Sequence, residues 1–134
     1  MKGKLATILV LVVVLASLVA CAPGEKAGGE KVLKIGVQGP FTGPNARVGE
    51  EIKGHVNMAF DAIDWKIGDY TIEPVWIDSE SDPEKGVRAY KEAVLKSNIQ
   101  AGLHGYHSSV TIAVMEVTAE NKIPHFFNQN ESNV

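Results

Sequence analysis

The stretch Gly102-Leu103-His104-Gly105-Tyr106-His107-Ser108-Ser109, followed at once by Val110-Thr111-Ile112-Ala113-Val114, combines residue types that could hold an anion. An apolar run ends at Leu103, glycine permits a sharp exit, and two serines stand where a helix should begin. A serine at a helix N-cap accepts a hydrogen bond from a backbone N–H two or three residues on. The same end of a helix carries orphan N–H donors and partial positive charge, which favour a carboxylate. Ser108 and Ser109 are therefore expected to hold the charged part of a small ligand, with His107 and Tyr106 as walls of the pocket. The plainer reading is a strand–loop–helix corner with a serine cap and no ligand. Where the rest of the chain puts this corner decides between them.

Other chemistries find less support. No Gly-x-Ser-x-Gly elbow surrounds Ser108 or Ser109, so neither is set up as a nucleophile. Gly36, Gly39 and Gly43 are not spaced as a dinucleotide fingerprint, and no glycine-rich loop runs into Gly-Lys-Ser/Thr. His104, His107 and His125 could converge on one edge, but no motif adds the further ligands and supporting carboxylates of a zinc site. Neither a metal nor a cofactor is expected, and His55 reads as part of a solvated helix face. Phe41 stands in a loop at the same edge, as an apolar wall for a ligand or as packing for the loop. Trp65, after a helix, and Trp76, within a strand, read as structural.

The elements that must position these residues begin only after a leader. Lys2 and Lys4 precede an apolar run over 5–20, interrupted by Thr7 and Ser17, which is short for a membrane span and suits a signal peptide over residues 1–20. The run ends Leu18-Val19-Ala20-Cys21, which resembles the bacterial lipobox, where cleavage precedes a cysteine that is then lipidated. With one cysteine no internal disulfide is possible, and acylation of Cys21 accounts for the odd thiol. Residues 22–30 are small, polar and glycine-rich, so 21–31 reads as lipidated cysteine and flexible tether. Loss of residues 1–20 removes two lysines and no acids, moving the net charge from −3 to −5. Without a basic stripe, nucleic acid is not an expected partner.

Residues 32–134 have the composition of one globular unit. Val32-Leu33-Lys34-Ile35-Gly36-Val37-Gln38 reads as a first strand, closed by Gly39-Pro40 and Gly43-Pro44. Asn45 is expected to cap a first helix whose stripe is Val48, Ile52, Val56, Ala59 and Ile63. Residues 64–69 turn the chain into a second strand over 71–77, which Pro74 restricts to an edge. Asp82 as N-cap and Pro83 in the first turn open a second helix with Val87, Tyr90, Val94 and Ser97 on one face. A third strand over 99–103, a third helix over 109–120 and a fourth strand over 123–127 follow. This alternation predicts an α/β fold: a mostly parallel sheet covered by helices on both faces, three layers in all. In such sheets the loops after the strands share one edge, where ligands bind at the switch point. Residues 39–45, 78–82, 104–109 and 128–132 should therefore converge, which favours the ligand reading of the opening stretch.

In that frame the motifs resemble a known family. Lys34-Ile35-Gly36-Val37-Gln38-Gly39-Pro40-Phe41-Thr42-Gly43-Pro44, followed by Gly49 and a helix, is similar to the start of branched-chain amino-acid and amide receptors. These are the solute-binding proteins of ABC importers typified by the leucine/isoleucine/valine-binding protein. Asp78-Ser79-Glu80-Ser81-Asp82-Pro83, then Gly105-Tyr106-His107-Ser108-Ser109, then Ile123-Pro124 resemble the family's next strand exits in order. The likeness covers about residues 31–131. It implies a type I periplasmic-binding fold, two lobes closing on a ligand, with permease subunits as partners and an extracytoplasmic, membrane-anchored location. It implies that Ser108 receives an amino acid's carboxylate through hydroxyl and backbone N–H. Gln129, Asn130 and Glu131 fall where the family usually has a carbonyl and a threonine for the amino group, which is a departure. The family's chains are much longer, so this sequence is expected to hold an incomplete N-terminal lobe. A sensory module of the same fold and an enzyme on a flavodoxin-like sheet are the alternatives.

Overall fold

The computed structural model describes Gly29 and residues 31–128; the leader, Cys21, and Gln129, Asn130 and Glu131 lie outside the described residues. The elements run β1 (Lys31–Gly39), α1 (Ala46–Asp61), β2 (Lys66–Ile67), β3 (Tyr70–Asp78), α2 (Pro83–Glu92), β4 (Ala101–Leu103), α3 (Ser108–Glu120) and β5 (His125–Phe126). One five-stranded sheet has the order β2-β3-β1-β4-β5. All its pairings are parallel except the short antiparallel contact of β2 with β3.

The β-branched run of β1 makes it the central strand. It pairs with β3 along its length, Lys31 opposite Tyr70 through Gly39 opposite Asp78, and with β4 from Ile35 to Val37. Side chains alternate across a strand, so Ile35 and Val37 join Ile52, Val56, Phe60 and Ile72 in a core under α1. On the opposite face Ile77, Tyr90, Ala93, Ile99, Val110, Val114 and Val117 make a second core under α2 and α3. The chain passes from β1 out to β3, then back across β1 to β4. Right-handed crossovers running in opposite directions put α1 on one face and α2 with α3 on the other. The switch point falls between β1 and β4.

Several local expectations change. The stripe of α1 buries Gly49, Ile52, Val56 and Phe60, while Ala59 and Ile63 are exposed. Gly49 sits there because a Cβ would press on the Pro40 carbonyl oxygen and on Phe41 Cα, so the helix rests directly on the loop after β1. The turn over 64–69 contains the unforeseen strand β2, reached through left-handed Asp64 (φ 51°) and Trp65 (φ 56°). Pro74 pairs with Ile35 on its inner side and lies past the reach of β2, so it does occupy an edge. Asp82 caps α2 as expected, its carboxylate accepting from the Lys85 N–H at 2.9 Å. That helix then widens into a π turn, Ala93–Ser97, and ends on left-handed Asn98 (φ 54°). The third and fourth strands are shorter than expected.

Candidate ligand-binding edge

The carboxyl ends of β3, β1, β4 and β5 bring their loops to one edge, and side chains bolt those loops together. Asp78, the last residue of β3, accepts from the N–H groups of Phe41 (2.8 Å), Thr42 (3.2 Å) and Glu80 (2.9 Å) at Oδ1. Its Oδ2 accepts from the Thr42 hydroxyl at 2.6 Å. Burial alone would raise its pKa, but these bonds, led by Thr42, hold it below the usual carboxylate value. Asp78 thus clasps the loop after β1 to the loop after β3. The latter turns tightly through Glu80 (φ 48°) and Ser81 (φ 64°).

Asn45 extends the clasp across the switch point. It stands at the N-cap of α1 but makes no side-chain cap bond, which corrects the expected cap. Its Nδ2 instead donates to Ser81 Oγ at 2.9 Å and lies 3.3 Å from His107 Nε2. One amide nitrogen thereby touches the loops after β3 and β4.

The expected serine cap of α3 is also corrected. The helix starts one residue earlier, with extended His107 (φ −98°, ψ 129°) at the N-cap and no side-chain cap bond. The His107 carbonyl accepts the Thr111 N–H at 2.9 Å. Ser108 and Ser109 are therefore the first two helical residues, where backbone N–H groups lack intrahelical acceptors. No acidic residue stands in that first turn to repel an anion. His107 is half-buried, and exposed Tyr106 meets its ring edge-on at a centroid distance of 4.5 Å. Phe41 lies elsewhere: 9% exposed, it belongs to the core under α1 and meets Trp76 edge-on at 5.4 Å. Its backbone serves the edge while its ring serves the core.

Beneath these loops lies a polar layer that no motif announced. Gln38 and Thr111 are buried at 1% and 0% exposure, and Gln38 Oε1 and Thr111 Oγ1 have no hydrogen-bond partner among the described residues. A polar residue ending an otherwise buried strand is the signal that could have drawn attention to Gln38. Tyr90 and His125 meet on the same side, with Tyr90 O and His125 Nδ1 2.7 Å apart. Burial lowers the pKa of His125 to about 4, His104 adding to the effect while a bond to the His104 backbone opposes it. Burial also lowers the pKa of His104, with His55 acting in the same direction and a bond to the Gln38 backbone opposing. Both rings are therefore neutral near pH 7. Tyr90 had read only as part of an apolar helix face, because periodicity does not distinguish a phenol from a phenyl ring.

Known proteins are similar to this chain in sequence and in fold. A family model described as periplasmic binding protein matches residues 32–133. A Leu/Ile/Val-binding protein homolog of Brucella abortus is 28% identical over 113 residues, 84% of this chain and 29% of that protein. The chain thus spans less than a third of the length of the curated relatives it matches. An ABC-transporter solute binding protein of Rhodopseudomonas palustris, solved in complex with p-hydroxybenzoic acid, superposes with a TM-score of 0.68 at 26% identity. That match covers 72% of this chain and 27% of the other. The branched-chain amino acid transporter substrate binding protein of Streptococcus pneumoniae, solved in complex with isoleucine, gives a TM-score of 0.70 at 22% identity, covering 77% and 30%. The sheet and its helices have the fold of a type I periplasmic binding protein lobe, as the sequence motifs implied.

Proposed function

This chain belongs to the periplasmic binding protein family, and on that premise we propose that the protein carrying it captures a solute outside the cytoplasm for an ABC importer. The solute is an amino acid of the branched-chain type or a related amide. The observation that carries this reading is the start of α3 at the switch point. Ser108 and Ser109 occupy its first turn, no acid stands among them, and the loops after β1 and β3 are clasped alongside. A solute carboxylate there would meet the helix's positive end and hydroxyl donors. Tyr106 and His107 would wall it, while Gln129, Asn130 and Glu131 would supply the acceptors for an amino group. Binding rather than turnover is the proposed activity, with permease subunits as partners and lipidated Cys21 as membrane anchor. Closure of a facing lobe would favour the liganded state only through contacts made when shut.

A second solute class has support of its own. The Rhodopseudomonas palustris relative, which holds p-hydroxybenzoic acid, shares more of this sequence than the isoleucine-bound protein does. Both solutes present a carboxylate, so the two readings part only at the far end of the ligand. Replacing Ser108 with alanine in the intact protein tests the shared part. Calorimetry with L-isoleucine and with p-hydroxybenzoate should show whichever solute binds weakened by about 1–3 kcal/mol, as expected for losing a hydrogen bond to a charged group. Unchanged affinity would take Ser108 out of the site.

A further inference from the structure

We infer that Tyr90 and His125 together act as a positioning clamp, locking the loop after β4 to β5 and to Phe127 and Asn128 behind it, so that this end of the candidate edge is held as one unit. The bearing of this clamp on solute affinity rests on the function proposed above, whereas the clamp itself rests on geometry. His125 Nε2 lies 2.7 Å from the backbone carbonyl oxygen of His104. A carbonyl only accepts, so Nε2 must carry the proton. In the neutral ring Nδ1 is then an acceptor, and its partner at 2.7 Å, the Tyr90 hydroxyl, must donate. Tyr90 is completely buried, so water cannot take over that role. The phenol therefore selects one tautomer of His125, and that tautomer holds the His104 carbonyl.

What the clamp holds is a strained turn. His104 has φ 73°, a left-handed conformation unfavourable for a residue with a side chain and found where surrounding structure enforces it. Further bonds run between the same two segments. The His104 N–H donates to the Phe126 carbonyl at 2.9 Å, and the Asn128 amide lies 3.2 Å from His104 Nε2. The His125 ring stacks on Phe127 at 3.9 Å with 14° between the planes. The loop so fixed leads directly into Ser108, and Asn128 leads directly into Gln129, Asn130 and Glu131. The titratable groups facing His125 are Tyr90 from α2 and His104 from the loop after β4. Gly102 on the adjacent strand brings no side chain.

The test uses Tyr90→Phe, which keeps the ring and removes the donor, in the intact protein. Hydrogen exchange should accelerate about 3–10-fold in peptides covering 104–110 and 124–128, the scale of one neutral hydrogen bond, and stay unchanged in α1. Nitrogen-15 spectra of labelled histidine should show His125 as the Nε2–H tautomer in the wild type and as a mixture in Tyr90→Phe. His125→Gln, whose amide can still donate to the His104 carbonyl, should keep loop exchange slow where His125→Leu does not. Solute affinity should fall in step with loop exchange. An Nδ1–H tautomer in the wild type, equal acceleration in the Gln and Leu variants, or a loop unmoved by Tyr90→Phe would overturn the clamp. A wild type that binds no solute would overturn the proposed function instead, with tautomer and exchange still deciding the clamp.

Discussion

Asp78→Ala is expected to destabilise the lobe by about 2–4 kcal/mol and to loosen the loops after β1 and β3 together. The carboxylate accepts three backbone N–H groups and a hydroxyl. A hydrogen bond to a charged group contributes about 1.5–3 kcal/mol, and bonds sharing one acceptor do not add in full. Asp78→Asn should lose less, since its carbonyl oxygen keeps the acceptor role of Oδ1 while its amide nitrogen cannot accept from Thr42. Acid supplies a second check. A carboxyl whose pKa lies below its ordinary 3.8 takes up a proton less readily in the folded chain than in the unfolded one. Its stabilisation is therefore complete above about pH 4 and is lost as pH falls through the lowered folded value. Urea midpoints of wild type and Asp78→Ala should differ most near neutrality and draw together below that pH. A constant difference down to strong acid would mean that Asp78 acts through shape and not charge.

Gly102→Ala should be at least as damaging, at about 2–5 kcal/mol. A Cβ on Gly102 would collide with His125 Nδ1 and the Tyr90 hydroxyl, the two atoms that hydrogen-bond to each other. Overpacking a well-filled core costs about 1–3 kcal/mol, and a buried polar group stripped of its partner about as much again. Relief by rotation is closed off, because Tyr90 is fully enclosed and His125 is stacked on Phe127. The same change at Gly54, on the exposed face of α1 with open space around it, should be neutral or stabilising by up to about 1 kcal/mol, through better helix propensity. Denaturation midpoints that fell equally for both substitutions would show that the damage at Gly102 does not come from the buried pair.

The contrast between these sites explains what could be read from sequence. Period and punctuation located the large elements: Gly39-Pro40 closed β1, Asp82-Pro83 opened α2, and the strand–helix alternation forced the parallel sheet and its shared edge. These are local signals, each carried within a few residues. The bolts of the edge are long-range. Asp78 meets Thr42 across 36 positions, Asn45 meets His107 across 62, and Tyr90 meets His125 across 35. No periodicity encodes such pairs, so Asn45 read as a cap, Tyr90 as core without its bond to His125, and Phe41 as either wall or packing, of which its ring takes the packing role. Serine's capping preference misplaced the start of α3 by one residue, because extended His107 already supplies the turn. The two-residue β2 was too short for any alternation to show.

The measurement that tests the proposed function most directly is ligand-dependent thermal stabilisation of the intact protein. The panel runs through branched-chain amino acids, their amides and aromatic carboxylates, each acid paired with its uncharged analogue. A binder stabilises by RT ln(1 + [L]/Kd), so a solute at about a hundred times its Kd adds about 2.7 kcal/mol, a shift of several degrees. At least one free acid should give such a shift, with its neutral analogue giving none and Ser108→Ala giving a smaller one. No shift across the whole panel, or a shift indifferent to the solute's charge, would contradict an anion held at the start of α3.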